Sequence, residues 1–488
     1  MSIYKSIYKK LLAAGTAAVV MATVAAPSSS EAAVPFKDAT GNYLSPVEYL
    51  NSNGIVSGID STNFGINLNL KRGDTAVIIE RALGLESRVA PDAGFADVSG
   101  RYAHPVNTLN DLGIISGSGN KFMPDGTLTR GAMAKILVNA YKIPMNVKKS
   151  PFIDATGAFG DYINAIYAAG ITSGVSADRF GTDVNITRGQ FAILLFKTIN
   201  RFGTACDYDS NSTVNPDSQT INCLITEVAR ESNVPPEIVK AVAEKESGWV
   251  QFVGGKPLKN SNGDGGIGMM QITNTAGYNV NELEYNLKAN IKAGVDFLTE
   301  AFYNRKDLPK INNHDPKMLE SWYFAVMAYN GIVPKNSPVV QSTGERNLKA
   351  YQEEVYDILD KGNLYKGDPQ LETNIDKLDM KKEDFQYDPN SGAAIKFLKT
   401  PYQLNEADLT TSKQLFKVGD VVTYDSNRLR AIPSTSGSII DIPKGSRVKI
   451  IGEPMADQNA KSVNHYVWYL IEDINTKKVG YIASPYIK

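Results

Sequence analysis

The sequence predicts a multidomain chain in three parts: an α-helical domain built from repeats, a second mainly α-helical domain, and a small all-β barrel. Three observations predict it. A block of about 58 residues recurs three times between 33 and 203, apolar residues return at helical spacing between about 220 and 360, and strand-like runs alternate with turn residues after 416. The length of 488 residues suits about three domains. With 51 Lys and Arg against 52 Asp and Glu, and no block of like charge, the chain has neither a nucleic-acid arm nor a polybasic membrane patch. A hydrophobic content of 42% excludes a disordered chain. Only His104, His314, His465, Cys206 and Cys223 are available as His or Cys ligands, so no His/Cys zinc site is expected; no other metal and no cofactor is expected either.

The first 32 residues read as a signal peptide. Lys5, Lys9 and Lys10 precede an apolar run from Leu11 to Ala26, and small residues follow, with cleavage expected near Ala32 or Ala33. That run is shorter than the ~20 residues that span a bilayer, so no membrane span is expected in the mature form. Removal takes away three lysines and Glu31, leaving 48 basic against 51 acidic side chains. In an oxidising exterior Cys206 and Cys223 either pair, at a gain of roughly 3 kcal/mol for so short a loop, or remain two thiols.

The repeats occupy 33–88, 89–146 and 147–203. Each opens with F-x-D (Phe36 and Asp38, Phe95 and Asp97, Phe152 and Asp154), passes a GI-x-x-G segment ending at Gly58, Gly117 or Gly174, and reaches Phe64, Phe122 or Phe180. A K-R-G or T-R-G element then begins a closing amphipathic helix, with Thr187 a candidate N-cap. A unit of two short helices is too small to bury its own apolar faces, so the three are expected to pack together. Arg72, Arg130 and Arg188 start those closing helices, where a cation opposes the helix dipole. Two readings remain: an anion shared by the guanidinium and free helix N–H groups, or a salt bridge to a neighbouring unit.

These residues make 35–200 resemble three S-layer homology (SLH) repeats, with T-R-G where that family usually writes T-R-A-E. The resemblance implies a pseudo-trimer that binds secondary cell-wall polysaccharide, Arg72, Arg130 and Arg188 meeting an acidic sugar substituent. Repeat 1, with Lys71 in place of Thr, is expected to be the weakest groove.

A polar, turn-rich stretch from Cys206 to Gln219 marks a boundary, and the second domain is expected over 204–363. Ile221, Leu224, Ile225 and Val228 mark one helix; Pro235 and Pro236 open another. On the latter, Val239, Val242, Ala243 and Glu246 share a face, whereas Glu237 and Glu244 are expected on solvated faces. Glu246 thus extends an apolar stripe beside Trp249, and burial there raises a carboxyl pKa towards that of a general acid. The alternative is a helix-terminal Glu paired with Lys245 or another cation.

ESGW, the later GMMQI and the still later AYNG resemble, in order and spacing, the motifs of the goose-type lysozyme and soluble lytic transglycosylase (SLT) family. The resemblance implies a lysozyme-like fold with a saccharide cleft and no cofactor. Glu246 is then the general acid, Ser247 its hydrogen-bonding neighbour, Met270 and Gln271 cleft residues, and Tyr329 and Asn330 groups that orient Glu246 and the sugar. Gly331 follows Asn330 directly, where the family has one residue between, so that turn is expected to differ. Asp264 bears on the mechanism: as a second carboxylate it serves an inverting hydrolase, while as a turn-forming Asp it leaves the substrate's own groups to close a 1,6-anhydro product.

Residues 364–412 read as a charged linker or small irregular extension, and 413–488 as the β module, which resembles a bacterial SH3-like domain. Tyr466, Trp468 and Tyr481 are either a wall-contact surface or core. The leading reading is a secreted, wall-anchored peptidoglycan glycosidase, either lytic transglycosylase or N-acetylmuramidase, whose partners are glycan strands and secondary wall polysaccharide. The competing reading is a non-catalytic envelope protein with a sugar-binding lysozyme-like module.

Overall fold

The computed structural model describes residues 36–203, 206, 208–260, 264–361, 371–388 and 392–488; the expected signal segment, 1–32, lies outside them. The chain divides into two compact units. One holds the described residues before Tyr208 with Val421–Glu453 and Tyr469–Ile482; the other holds Tyr208–Asp420, Pro454–Trp468 and Ala483–Lys488. The C-terminal residues read as one module thus contribute to both.

In the first unit each repeat supplies two helices: α1 (Leu44–Ser52) and α2 (Arg72–Ala82), α3 (Ala103–Asp111) and α4 (Arg130–Tyr141), α5 (Gly160–Ala168) and α6 (Arg188–Phe202). Each closing helix packs on the opening helix of the next repeat, α2 on α3, α4 on α5, and α6 back on α1. The cycle is closed at its centre by main-chain bonds. Leu70 N–H donates to Ile186 O, Ile186 N–H to Leu128 O and Leu128 N–H to Leu70 O, at 3.0, 2.9 and 2.9 Å. Within a repeat the F-x-D aspartate holds the loop before the closing helix: Asp38 accepts from the N–H groups of Phe64, Gly65 and Ile66, and Asp154 from those of Phe180, Gly181 and Thr182.

The helix starts explain T-R-G. Thr129 and Thr187 cap α4 and α6 through their side chains, whereas Lys71 does not cap α2 and instead pairs with Asp125 at 2.8 Å. The glycine after each arginine faces an aromatic ring of the next repeat. A Cβ would lie 2.7 Å from Tyr102 at Gly73, 2.8 Å from Phe159 at Gly131 and 2.8 Å from Tyr43 at Gly189.

The second unit is helical: α7 (Ser218–Glu231), α8 (Pro236–Ser247), α9 (Val280–Tyr285), α10 (Leu287–Thr299), α11 (Tyr323–Asn330) and α12 (Tyr351–Lys361), with hairpins β1 (Phe252–Val253) to β2 (Lys256–Pro257) and β3 (Phe385–Gln386) to β4 (Lys396–Phe397). Helix α8 packs between α7 and α12, and α11 between α10 and α12. Residues 371–388 and 392–412, part of the expected linker, pack onto these helices. Tyr402 is buried against Phe324, Ile395 N–H donates to Ile332 O at 2.9 Å, and the N–H groups of Asn374 and Thr410 donate to the buried Glu320 carboxylate at 3.1 and 2.8 Å.

The C-terminal β region is a six-stranded antiparallel sheet of β5 (Val421–Thr423), β6 (Arg428–Arg430), β7 (Ile439–Asp441), β8 (Arg447–Ile450), β9 (Trp468–Asp473) and β10 (Val479–Ala483), in the order β5-β8-β9-β10-β6-β7. Within the first unit it is joined to the repeats. Tyr481 donates to Asn200 Oδ1 at 2.5 Å and its ring meets Tyr49 and Phe196, while Ser45 Oγ donates to Val479 O at 3.0 Å. Tyr466, Trp468 and Tyr481 are all buried, so they are core and not a wall-contact surface.

Candidate active site

Helix α8 carries Glu246. Pro236 sits in its first turn, Val239, Val242 and Ala243 are buried along one face, and Gly248 ends it in the left-handed conformation, where a side chain is strained. Glu246, in the last turn, is half-buried, and burial raises its pKa above the ordinary carboxyl value. A hydrogen bond from Tyr351 and the charge of Lys245 oppose that rise, and the charge of Asp264 adds to it. Lys245 itself is paired with Glu354 at 2.6 Å.

Three separate segments converge behind Glu246. Ser247 Oγ donates to Met269 O at 2.8 Å and accepts from Val250 N–H at 3.1 Å; Tyr329 donates to Met270 O at 2.7 Å; and Asn330 Oδ1 accepts from Asn336 Nδ2 at 3.2 Å. The turn at Gly331 is held by its own carbonyl, which accepts from Asn336 Nδ2 at 2.8 Å. Gln271 lies at φ +47° with its amide on Gly268 O at 2.7 Å, half-buried, whereas the Met270 side chain is buried against Gly294. Met270 is therefore packing beneath the loop and does not line a cleft.

The tyrosine on Glu246 is Tyr351, not Tyr329. Tyr351, at the start of α12, donates to Glu246 Oε1 at 2.5 Å, and its ring stacks on Tyr329 with centroids 6.4 Å apart. The motif loop rests on two amides that sequence reasoning passed over. Gln251 Oε1 accepts from Met269 N–H and Asn290 Oδ1 from Met270 N–H, each at 2.8 Å. Asn290 had a signal: it falls on the buried stripe of α10 with Leu287, Ile291 and Gly294, where a polar residue needs a partner. Tyr351 had none of that kind.

Asp264 is exposed, accepts from Gly266 N–H at 3.2 Å and from Asn260 Nδ2 at 3.3 Å, and so forms the turn of its own loop. Glu237, expected on a solvated face, is fully buried because residues 412–413 cover it: it accepts from Ser412 Oγ at 2.8 Å and Lys413 N–H at 2.7 Å. Cys206 and Cys223 are disulfide-bonded.

The repeat arginines do not hold free helix N–H groups. The N–H groups of Arg72 and Gly73 donate to Gly126 O and Pro124 O, those of Arg130 and Gly131 to Val184 O and Thr182 O, and those of Arg188 and Gly189 to Leu68 O and Ile66 O. Each guanidinium also reaches the next repeat, donating from Nε to Phe122 O, Phe180 O or Phe64 O and lying 4.6 to 4.7 Å over the same ring. The neighbouring repeat's carbonyls thus take up the helix N–H groups that an anion was expected to share with each guanidinium. Arg72 also lines a cavity of about 140 Å³ with Ser116, Phe122, Lys135 and Phe159, although repeat 1 was the expected weak groove.

Comparison with known proteins agrees with this division. The transglycosylase SLT domain family matches residues 223–352, and the S-layer homology domain family matches 35–76, 94–134 and 153–192. An S-layer protein of Bacillus thuringiensis subsp. finitimus is 29% identical over 205 residues, 40% of this chain and 25% of that protein. The surface-layer 125 kDa protein of Lysinibacillus sphaericus is 28% identical over 234 residues, 46% of this chain and 20% of that protein. An uncharacterized cell wall amidase of Bacillus anthracis is 24% identical over 250 residues, 49% of this chain and 45% of that protein. The chain thus spans a quarter or less of these S-layer relatives and under half of the amidase. It carries three S-layer homology repeats and a transglycosylase SLT domain, and its location is the bacterial cell wall or S-layer surface. No helix among the described residues is long and apolar enough to cross a membrane.

Proposed function

We propose that this chain, with its S-layer homology repeats and SLT domain, is a wall-anchored peptidoglycan lytic transglycosylase that cleaves the MurNAc–GlcNAc β-1,4 bond. The observation that carries this is Glu246: a half-buried carboxyl whose pKa is raised by burial, aimed by one phenol, amid the three motif segments. Glu246 protonates the glycosidic oxygen as the C1–O bond breaks. It then takes the proton from the C6 hydroxyl as O6 closes on C1, giving a 1,6-anhydro end and restoring the acid. We favour this route over hydrolysis because Asp264 has both oxygens engaged in its own loop. Incubating the chain with purified peptidoglycan and examining the soluble fragments by mass spectrometry tests it. Anhydro ends, absent with Glu246→Gln, support the reading; reducing ends alone favour the muramidase.

For the repeats we propose binding to secondary wall polysaccharide at the grooves around Arg72, Arg130 and Arg188. The cavity at Arg72, with Lys135 as a second cation, supports it. Tethering raises the enzyme's concentration on its polymer, so modest affinity at each groove suffices. Retention on purified walls should fall once the secondary polysaccharide is removed chemically; unchanged retention counts against the repeats as anchor.

A further inference from the structure

Helix α8 is gripped at three places by chain lying outside the matched SLT segment. Near its start, the buried Glu237 carboxylate accepts from Ser412 Oγ and Lys413 N–H. At its middle, the buried Lys240 ammonium donates to Gln414 Oε1 and, at 2.9 Å, to His465 O. Just past its end, Trp249 is stacked on the His465 ring, with centroids 3.9 Å apart and planes 17° from parallel. The indole N–H turns back to Lys240 O at 3.0 Å, so Trp249 and Lys240 are tied to one another and both to His465.

The stack bears on Glu246 through the backbone. Trp249 sits at φ +64°, a conformation that strains a bulky residue and persists only where surroundings impose it. Behind it, Ser247 meets Met269 O, and Glu246 meets Tyr351. Burial holds the His465 pKa down to about 3, so the ring stays neutral and the stack is intact at ordinary pH.

We propose that His465 is a positioning residue for Glu246: by stacking on Trp249 and accepting from Lys240, it fixes the turn that aims the acid. The proposal rests on Glu246 as the general acid. Misplacement of a reacting group by about 1 Å costs on the order of 100-fold in rate, so loosening this turn appears in kcat and not in substrate affinity. The test uses the full chain on purified peptidoglycan, with thermal unfolding measured alongside. His465→Ala should keep KM within about twofold and lose about tenfold or more in kcat, and His465→Phe, which keeps a ring on the indole, should recover most of it. A folded His465→Ala with unchanged kcat overturns the proposal, as does a kcat loss that His465→Phe does not recover. Should His465→Ala fail to fold, His465→Leu, which fills the space without stacking, is compared with His465→Phe; equal kcat in those two overturns it. Glu246→Gln runs in parallel: wild-type activity there sinks the acid assignment, independently of the His465 result.

Discussion

Tyr351 donates its phenolic proton to Glu246 Oε1 across 2.5 Å, joining the first turn of α12 to the last turn of α8. This bond favours the ionised carboxylate, against burial, which favours the acid. Replacing Tyr351 by Phe removes the only stabiliser of the charged form that touches the carboxyl in the described residues, so the Glu246 pKa should rise further. A general acid works while protonated, and the alkaline limb of the kcat profile should therefore move to higher pH in Tyr351→Phe. The profile measured on peptidoglycan checks this, and a limb moving downward refutes it.

Glu246→Gln separates function from stability. Loss of the acid should cut turnover by about 10²–10⁴-fold. Because the folded-state pKa is raised, ionisation of Glu246 opposes folding: its stabilising contribution is whole below the ordinary carboxyl pKa and is lost as pH rises through the folded value. Glutamine never ionises. The variant should thus melt higher than the wild type at neutral pH, and the gain should vanish in acid below the ordinary carboxyl range. Thermal unfolding at two pH values reads both.

Triplication made the repeats legible, since Phe, Asp, Gly and Arg recur in register. Glu246 was legible because it extends the stripe of Val239, Val242 and Ala243. Tyr351 was not, because it lies 105 positions away and a helical period reports only neighbours three or four apart. Burial of Glu237 is hidden for a related reason: it lies off that stripe, and only the fold brings Ser412 and Lys413 over it. The arginines show the converse. In one repeat the helix start has free N–H groups, but packing brings the next repeat's carbonyls to them.

Gly131→Ala offers a test by sign. In an open helix this change stabilises by about 0.5–1 kcal/mol. Here the new Cβ would lie 2.8 Å from Phe159 Cδ2 and 2.9 Å from Thr182 Cγ2, an overpacking that costs about 1–3 kcal/mol. The melting temperature of the repeat unit should fall. A rise would mean that the next repeat does not sit against this helix.

Asn290 should prove structural and catalytic together, in a way that Glu246 titration does not report. Its amide accepts from Met270 N–H at 2.8 Å and donates to Ile267 O at 2.9 Å and Leu283 O at 3.1 Å, all in the core. Asn290→Leu keeps the branched shape but leaves the Met270 N–H without its partner, at about 1–3 kcal/mol, while Ile267 O and Leu283 O keep the Ile272 N–H and Gln251 Nε2. The carbonyls of Met269 and Met270 are the acceptors for Ser247 and Tyr329, so a shifted loop displaces the neighbours of Glu246 without touching its carboxyl. Guanidinium unfolding should show a lower midpoint, and kcat should fall, while the alkaline limb stays where the wild type has it. Movement of that limb would mean that Asn290 acts on the carboxyl itself and not through the loop.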